Sequence, residues 1–234
     1  MNRTADVVII GAGVIGSSTA FELSKRGYKT LNIDKLPASG YGSTSNSCAI
    51  VRAHYSTWDG VAMAYEGFFY WDDWQNYLDV EDERGLAKYM KTGSIMFILK
   101  GEDHCKKSLK LFQEIGVEHE IWDLDTLKEK MPIYSHDWYD GTSRPDEDEN
   151  FWEKKDEQIE GAVYTPGSGY VSDPQLSTHN LQVAAEAKGG EFLFDAEVME
   201  IRQSKGRIEG VTMKSGEQID CRALVNVAGP HSFV

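Results

Sequence analysis

This chain of 234 residues has few of the features that are typical of disulfide-rich, metal-binding or membrane proteins. It has three cysteines, Cys48, Cys105 and Cys221, an odd and widely spaced set that fits neither a disulfide framework nor a metal knuckle. Reduced thiols are typical of the cytoplasm, so we predict that location. No apolar run approaches the ~20 residues of a membrane span, and no signal-peptide pattern is visible.

Basic residues are also in deficit. Lysine and arginine number 24 against 38 aspartates and glutamates, which gives a net charge of −14. Such a chain is repelled by nucleic-acid phosphates and by anionic membranes, so we expect neither as a partner. The six histidines show no metal-ligand spacing, and we predict no metal site. The composition is otherwise that of a globular protein with one large domain or two small ones.

The N-terminal segment has the order of a nucleotide-binding unit. Residues 6–10 are a run of mostly β-branched residues, which predicts a strand buried on both faces. Three glycines follow it in the pattern GxGxxG: Gly11, Gly13 and Gly16. Helical spacing then continues to about residue 26, and residues 31–33 predict a second strand that ends at Asp34. This order is typical of a Rossmann-type site for the ADP half of a cofactor.

Each of these residues has a physical role in such a site. Gly11 permits the tight turn, Gly13 lets the backbone approach a pyrophosphate, and Gly16 lets the helix pack close to the sheet. The helix N-terminus offers unpaired N–H groups to the phosphates. Asp34 can accept hydrogen bonds from a ribose diol, which disfavours a 2′-phosphate, although Lys35 weakens that inference.

A hydroxyl-rich loop at residues 40–52 favours FAD over NAD. An NAD domain usually continues directly into another helix and strand, whereas this loop carries Ser43, Thr44 and Ser45. These hydroxyls can donate hydrogen bonds to a second phosphate and to the flavin edge. An ordinary solvated serine loop is the alternative, and an NAD-dependent dehydrogenase stays open at this point.

The sequence resembles a known family. The patterns GAGVIGSSTAFELSKRGYKTLNIDK and GSTSNSCAIVRAHYS resemble the FAD-dependent amine and amino-acid oxidoreductases, which include D-amino-acid oxidase, glycine oxidase, sarcosine oxidase and dimethylglycine dehydrogenase. Residues 161–174, 196–201 and 224–230 agree with it, and residues 59–160 agree weakly. The resemblance implies an α/β fold (α+β overall), with a Rossmann-type FAD-binding domain and a partial, mixed-sheet substrate domain.

The resemblance also implies which residues contact FAD. The pyrophosphate would be lined by Gly11, Gly13, Val14, Ile15 and Gly16, and the adenosine ribose would be held by Asp34 and Lys35. The phosphates and ribityl chain would be reached by Ser43, Thr44 and Ser45, and the flavin ring would lie near Cys48, Ala49 and Ile50. The adenine would contact Val198, and the cofactor would be approached by Ala228 and Gly229. His231 stands where many members carry tryptophan, which leaves its role in doubt.

The implied reaction is oxidation of a C–N bond next to an amine, with hydride transfer to flavin N5 and hydrolysis of the imine by water. Because the flavin carries this chemistry, we nominate no catalytic acid–base pair. A carboxylated substrate needs a cation, and Arg52 matches an arginine that holds the substrate carboxylate in sarcosine-oxidase-like members. The alternative is that Arg52 pairs with a carboxylate of the protein.

The rest of the chain predicts a domain organisation. We assign residues 1–58 to the FAD-binding domain, 59–170 to a partial substrate domain, and 171–234 to a helix and a strand meander of the FAD-binding domain. Aromatic residues at helical spacing over 59–78 favour a core face, with substrate lining as the alternative. The acidic residues 140–160 predict a solvated surface insertion, with a substrate lid as the alternative.

Local signals place several elements. A strand is predicted over residues 93–99, and helices over 106–115 and 124–131. Another helix starts at Asp173, which caps it, with proline at its first position. Family members continue well beyond residue 234, so we expect a fragment, a truncated product or a chain completed by a second polypeptide. A non-catalytic cofactor-binding subunit is therefore a second functional hypothesis.

Overall fold

The chain folds as two units, each with its own internal contacts. The computed structural model describes residues 3–101, 103–139 and 144–233. The first unit comprises Met1–Ile50, Tyr70–Tyr89 and Val171–Val234. The second unit comprises Val51–Phe69 and Met90–Tyr170. No helix among the described residues is both long and apolar enough to cross a lipid bilayer.

The elements are numbered in chain order. The strands are β1 (Arg3–Ile10), β2 (Thr30–Ile33), β3 (Ile50–Val51), β4 (Tyr89–Met90), β5 (Ser94–Leu99), β6 (Glu120–Asp123), β7 (Asp137–Trp138), β8 (Lys155–Thr165), β9 (Gly169–Val171), β10 (Glu191–Leu193), β11 (Val198–Ser204), β12 (Arg207–Met213) and β13 (Gln218–Asn226). The helices are α1 (Val14–Lys25), α2 (Trp58–Asp72), α3 (Trp74–Leu78), α4 (His104–Ile115), α5 (Leu124–Lys130) and α6 (Pro174–Ala187), and a 3₁₀ turn covers Gly229–His231.

A six-stranded mixed sheet organises the first unit. Its order is β10-β2-β1-β13-β12-β11. Strands β10, β2, β1 and β13 are parallel, with Ile10 opposite both Ile33 and Asn226. Strands β11, β12 and β13 form the predicted antiparallel meander. From β1 the chain continues to β2, which pairs with one edge of β1, whereas β13 pairs with the other edge. The C-terminal end of β1 is therefore the point at which the strand order reverses. Ligands of open α/β sheets bind at such a point.

Two apolar clusters hold the first unit together. One contains Phe21 of α1 and Leu181 of α6, and the other contains Leu31 of β2 and Ile219 of β13. All four side chains are almost completely buried, which is the main favourable contribution to folding. The cap of α6 agrees with the prediction, because a side-chain oxygen of Asp173 accepts a hydrogen bond from the Leu176 N–H at 2.8 Å.

The aromatic segment 59–78 is helical but is not one helix. It breaks at Asp73, between α2 and α3. Trp74 and Leu78 are buried in the first unit, and residues 70–89 belong to that unit, although we assigned them to the substrate domain as part of the range 59–170. The core prediction fails for Phe69, whose side chain is 59% exposed. Phe68, its neighbour in α2, is buried, because consecutive side chains of a helix point in directions about 100° apart.

An antiparallel sheet forms the centre of the second unit. Strands β5, β6 and β7 each pair with β8, and Ser94 lies opposite Thr165. Helices α4 and α5 were both predicted, and α4 ends at Gly116, whose φ of 85° is left-handed. Phe112 and Val163 are fully buried in the core of the second unit.

The prediction of a solvated insertion over residues 140–160 is wrong in its last part. Residues 140–143 lie outside the described residues. The next residues, 144–154, form turns and are largely exposed, as predicted. Residues 155–160, however, are the first half of β8, and Ile159 is buried opposite Leu99. Pairing with distant strands overrides the acidic composition of this stretch.

Candidate cofactor site

The turn after β1 has room only for glycine at two positions. Gly11 has a φ of +111°, and a Cβ there would lie 2.5 Å from the carbonyl oxygen of Val227. A Cβ on Gly16 would overlap the carbonyl oxygen of Gly11. Gly13 differs, because its φ of −71° is ordinary and a Cβ would meet only Thr44 Oγ1, at 3.2 Å. The backbone of the turn therefore requires glycine at Gly11 and Gly16, whereas the missing side chain of Gly13 leaves space at the surface of the turn.

The N-terminus of α1 presents unpaired donors at this turn. The Val14 N–H donates to Thr44 Oγ1 at 3.1 Å, and the Ser17 N–H donates to the Gly13 carbonyl at 2.9 Å. The N–H groups of Gly13, Ile15 and Gly16 have no acceptor among the residues that the structure describes. Unpaired donors at the positive end of a helix attract an anion.

Asp34 has a structural role that the sequence did not suggest. Its Oδ2 accepts a hydrogen bond from the Ala12 N–H at 2.7 Å, and its Oδ1 accepts one from the Leu36 N–H at 2.9 Å. The carboxylate therefore fixes the glycine turn to the end of β2. Each carboxylate oxygen has two lone pairs, so both retain capacity for a ligand hydroxyl.

Asn32 is a second residue that sequence reasoning missed. It is fully buried in β2, and its Nδ2 donates to the carbonyl of Gly11 at 3.3 Å. The Asn32 side-chain amide thus holds the backbone of the glycine turn. The signal was a polar residue inside an otherwise apolar strand, where a buried amide needs a partner.

The predicted serine loop approaches the turn with only some of its hydroxyls. The Gly40 N–H donates to the Ala12 carbonyl at 2.8 Å, which ties the loop to the glycine turn. Thr44 reaches α1, as described above. The Ser45 hydroxyl instead donates to the Gly42 carbonyl at 3.1 Å, within the loop. Ser43 is exposed and has no hydrogen-bond partner among the described residues, which leaves its hydroxyl available.

The return strand completes the same region. The Val227 N–H donates to the Ile10 carbonyl at 2.9 Å, so the residue after β13 lies beside the last residue of β1. The chain then turns at Gly229, whose φ is +60°. A Cβ on Gly229 would lie 4.0 Å from Ser43 Oγ. The structure therefore brings Ala228 and Gly229 next to the serine loop and the glycine turn.

The other predicted contact residues include two at the start of α1 and several with exposed side chains. The Ala196 N–H donates to the Asp34 carbonyl at 3.0 Å, which brings the start of β11, where Val198 lies, towards Asp34. Lys35 is exposed, as are Cys48 and Ile50. The three other predicted residues are a partly buried Val14, a largely exposed Ile15 and Ala49, whose φ is +51°.

Arg52 lies in the second unit, and its side chain is exposed. Among the described residues, no carboxylate lies within ion-pair distance of it, so the alternative of a protein ion pair has no support. Two residues later, His54 Nε2 lies 3.0 Å from Thr165 Oγ1. Burial, with smaller effects from the charges of Arg52 and His104, lowers the pKa of His54 to about 4. The histidine is therefore neutral at pH 7, a property that the sequence did not reveal.

Comparisons with known proteins agree with this architecture. The chain is 26% identical over 235 residues to the mitochondrial pyruvate dehydrogenase phosphatase regulatory subunit of Mus musculus, covering 98% of this chain and 23% of that protein. It is 24% identical over 196 residues to monomeric sarcosine oxidase of Bacillus sp. (strain B-0618), covering 82% of this chain and 43% of that protein. The chain thus spans less than half of these two relatives.

A solved structure shows the same fold. L-proline dehydrogenase from P. horikoshii superposes with a TM-score of 0.76 and 22% identity, over 97% of this chain and 53% of that one. Residues 6–233 also match the family described as "DAO: FAD dependent oxidoreductase". These matches confirm the predicted resemblance, the α/β fold and FAD as the family's cofactor. The chain belongs to the DAO family of FAD-dependent oxidoreductases.

Proposed function

We propose that this chain holds FAD at the glycine turn and belongs to an enzyme that oxidises the C–N bond of an amino acid or an N-methylated amine. The observation that carries the proposal is the set of unpaired N–H groups on Gly13, Ile15 and Gly16. They converge where Gly13 leaves space for a phosphate, with the Thr44 hydroxyl beside them. The residues present therefore fit a dinucleotide.

The proposed contacts are those that the resemblance to the family implies. The pyrophosphate lies against the turn and the first turn of α1, formed by Gly11, Gly13, Val14, Ile15 and Gly16. The ribose is held by Asp34 and Lys35, and the adenine contacts Val198. The phosphates and ribityl chain are reached by Ser43, Thr44 and Ser45, and the flavin ring lies near Cys48, Ala49, Ile50, Ala228 and Gly229. Ser45 contributes least, because its hydroxyl is used within the loop.

When bound, FAD supplies the acceptor for the hydride that leaves the carbon next to the amine nitrogen. The protein's part is to bind and orient the cofactor and the substrate. Asp34 holds the turn in shape, since both of its carboxylate oxygens are bonded to backbone N–H groups. No side chain is assigned to proton transfer.

An amino-acid substrate is favoured by the names of similar proteins and by Arg52. Sarcosine and proline, which appear in those names, are both secondary amines with a carboxylate. Such a substrate needs a cation, and a guanidinium binds a carboxylate through two parallel hydrogen bonds. In a chain with 38 acidic residues, Arg52 still has no carboxylate partner among the described residues, which leaves it free for a ligand.

Spectroscopy tests the proposal directly. Bound flavin gives the purified protein an absorption band at ~450 nm, and the released cofactor is identified as FAD by its mass. Under anaerobic conditions, sarcosine, L-proline or glycine should bleach that band. A colourless protein would contradict FAD binding. A flavin band that none of these amines bleaches would contradict the substrate class.

One comparison favours a second candidate, a cofactor-binding subunit without its own activity. One relative, aligned over 98% of this chain, is named a regulatory subunit. This candidate predicts bound FAD that no amine reduces and a stable complex with a second polypeptide. Size-exclusion chromatography of the protein from its native source distinguishes the two. A flavin-loaded monomer that oxidises an amine would rule the second candidate out. The cytoplasmic location stays a prediction.

A further inference from the structure

A histidine near Arg52 is hydrogen-bonded into a buried group of hydroxyls, which we call the hydroxyl cluster: Ser94, Thr165 and Ser168. His54 Nε2 lies 3.0 Å from Thr165 Oγ1. Thr165 Oγ1 in turn lies 2.9 Å from both Ser94 Oγ and Ser168 Oγ. Thr165 and Ser168 are fully buried and Ser94 is half-buried, so the hydroxyl of Thr165 at the centre of the cluster is shielded from water and its hydrogen bonds are strong.

The segment that carries Arg52 is held on both sides, since Val51, which precedes it, is partly buried against the core of the second unit. Ala53 is fully buried with Phe112 and Val163 in the core of the second unit. The His54 ring packs against Phe112, with ring centroids 5.7 Å apart. Arg52 is exposed. The backbone is therefore anchored on both sides of Arg52, and the hydrogen bond from His54 to Thr165 is a directional part of that anchor.

A histidine is an unusual anchor for this purpose. An apolar ring of similar size would fill the space against Phe112 and would avoid the cost of burying a polar group. What the imidazole adds is direction, because its hydrogen bond to Thr165 fixes the position of the ring. The neutral ring also adds no second positive charge beside Arg52.

We infer that His54 is a positioning residue: through Thr165 it fixes the backbone from which Arg52 binds the substrate carboxylate. This inference rests on the proposed function of Arg52. A structural role alone would require only packing. A positioning role requires the directional bond. The two roles therefore predict different results for a variant in which residue 165 keeps the shape of threonine but lacks the hydroxyl.

Thr165→Val makes that change, and Thr165→Ser restores the hydroxyl. L-proline is compared with pyrrolidine, which is the same ring without the carboxylate. For the flavin-loaded protein, we expect Thr165→Val to raise the KM for L-proline about tenfold, with a smaller change in kcat. The KM for pyrrolidine should stay the same, and Thr165→Ser should return both to wild-type values. Ser108→Ala is the matched control, because Ser108 is buried in the same unit and its hydroxyl has no partner among the described residues.

Two outcomes overturn the inference: equal KM changes for L-proline and pyrrolidine, or no KM change in Thr165→Val. If the wild-type protein oxidises none of sarcosine, glycine, L-proline and pyrrolidine, the proposed function fails separately. Binding of pyrrole-2-carboxylate, followed by isothermal titration calorimetry, then decides the inference without catalysis. Binding that Thr165→Val weakens about tenfold, and Thr165→Ser does not, supports it. Equal binding to all variants, or no binding to the wild type, overturns it.

Discussion

Thr44 Oγ1 accepts a hydrogen bond from the Val14 N–H at 3.1 Å, so a loop that follows β2 caps the helix that precedes it. Gly13, at the N-cap position of α1, has no side chain to do this. The capping residue comes from the hydroxyl-rich loop, and its own O–H proton stays free for a ligand anion. Helix stability and cofactor binding therefore depend on the same side chain.

Replacing Thr44 tests this double role. Thr44→Val keeps the shape and removes the acceptor, so we expect unfolding of the cofactor-free protein to become easier by about 1 kcal/mol. The Kd for FAD should rise as well. Thr44→Ser retains the hydroxyl and is the control. Urea denaturation and titration with FAD measure the two effects, and a change in only one would contradict the shared role.

Gly13→Ala separates the cofactor site from the fold. The φ of −71° suits alanine, and the added Cβ meets only Thr44 Oγ1, at 3.2 Å. We expect a Kd for FAD at least about tenfold higher, because the methyl group occupies the space of a phosphate. The stability of the cofactor-free protein should hardly change. Gly67→Ala, where no atom lies within 4 Å of the new Cβ, is the matched control and should bind FAD normally.

Asp34→Asn should affect both stability and binding. An amide offers one carbonyl oxygen, so one of the bonds to the Ala12 and Leu36 N–H groups is lost. We expect a loss of about 1–2 kcal/mol in the free energy of unfolding, together with weaker FAD binding. Asp195→Asn is the control, since Asp195 is exposed and asparagine tolerates its positive φ. Unchanged stability in Asp34→Asn would show that these bonds contribute little.

Local chemistry explains what the sequence could predict. The glycine turn, α1 and the Asp173 cap of α6 depend on neighbouring residues, and all three agree with the structure. The bond from Asp34 to Ala12, the cap by Thr44 and the pairing of residues 155–160 in β8 depend on distant partners. Sequence spacing carries no information on which distant groups will meet. The sequence therefore predicted the glycine turn but not the bonds that hold it.

The pH dependence of stability should reveal His54. Its pKa falls from an ordinary 6.5 to about 4 in the folded protein. Between these values the unfolded chain binds a proton at His54 and the folded protein does not, so stability decreases as the pH falls through this window. We expect a contribution of roughly 2 kcal/mol after allowing for partial exposure of the ring.

Urea denaturation at pH 7 and pH 4.5 measures this contribution, with His54→Gln as the reference. The wild-type protein should lose more stability than the variant over this interval. Carboxylates elsewhere titrate in both proteins, so their effect cancels in the difference. Equal losses would assign the pH dependence to other groups.

Arg52→Ala should raise the KM for an amino-acid substrate by roughly 10–100-fold, because a charged hydrogen-bonded pair is lost. Arg52→Lys should recover part of the affinity, since an ammonium group keeps the charge but not the paired geometry. Arg207→Ala, another exposed arginine, is the control. Steady-state kinetics gives these values, and an unchanged KM in Arg52→Ala would remove Arg52 from the site.

The parallel pairing of β1 with β13 has a consequence for biosynthesis. The ribosome releases the glycine turn before it releases β13, but Arg3 pairs with Ile219, and Val227 closes over Gly11. Until β13 emerges, one edge of β1 stays unpaired and open to incorrect partners. Pairing between such distant segments is also intrinsically slow. A nascent chain therefore contains the nucleotide-binding motif long before it can retain the nucleotide, and cofactor loading follows the synthesis of β13.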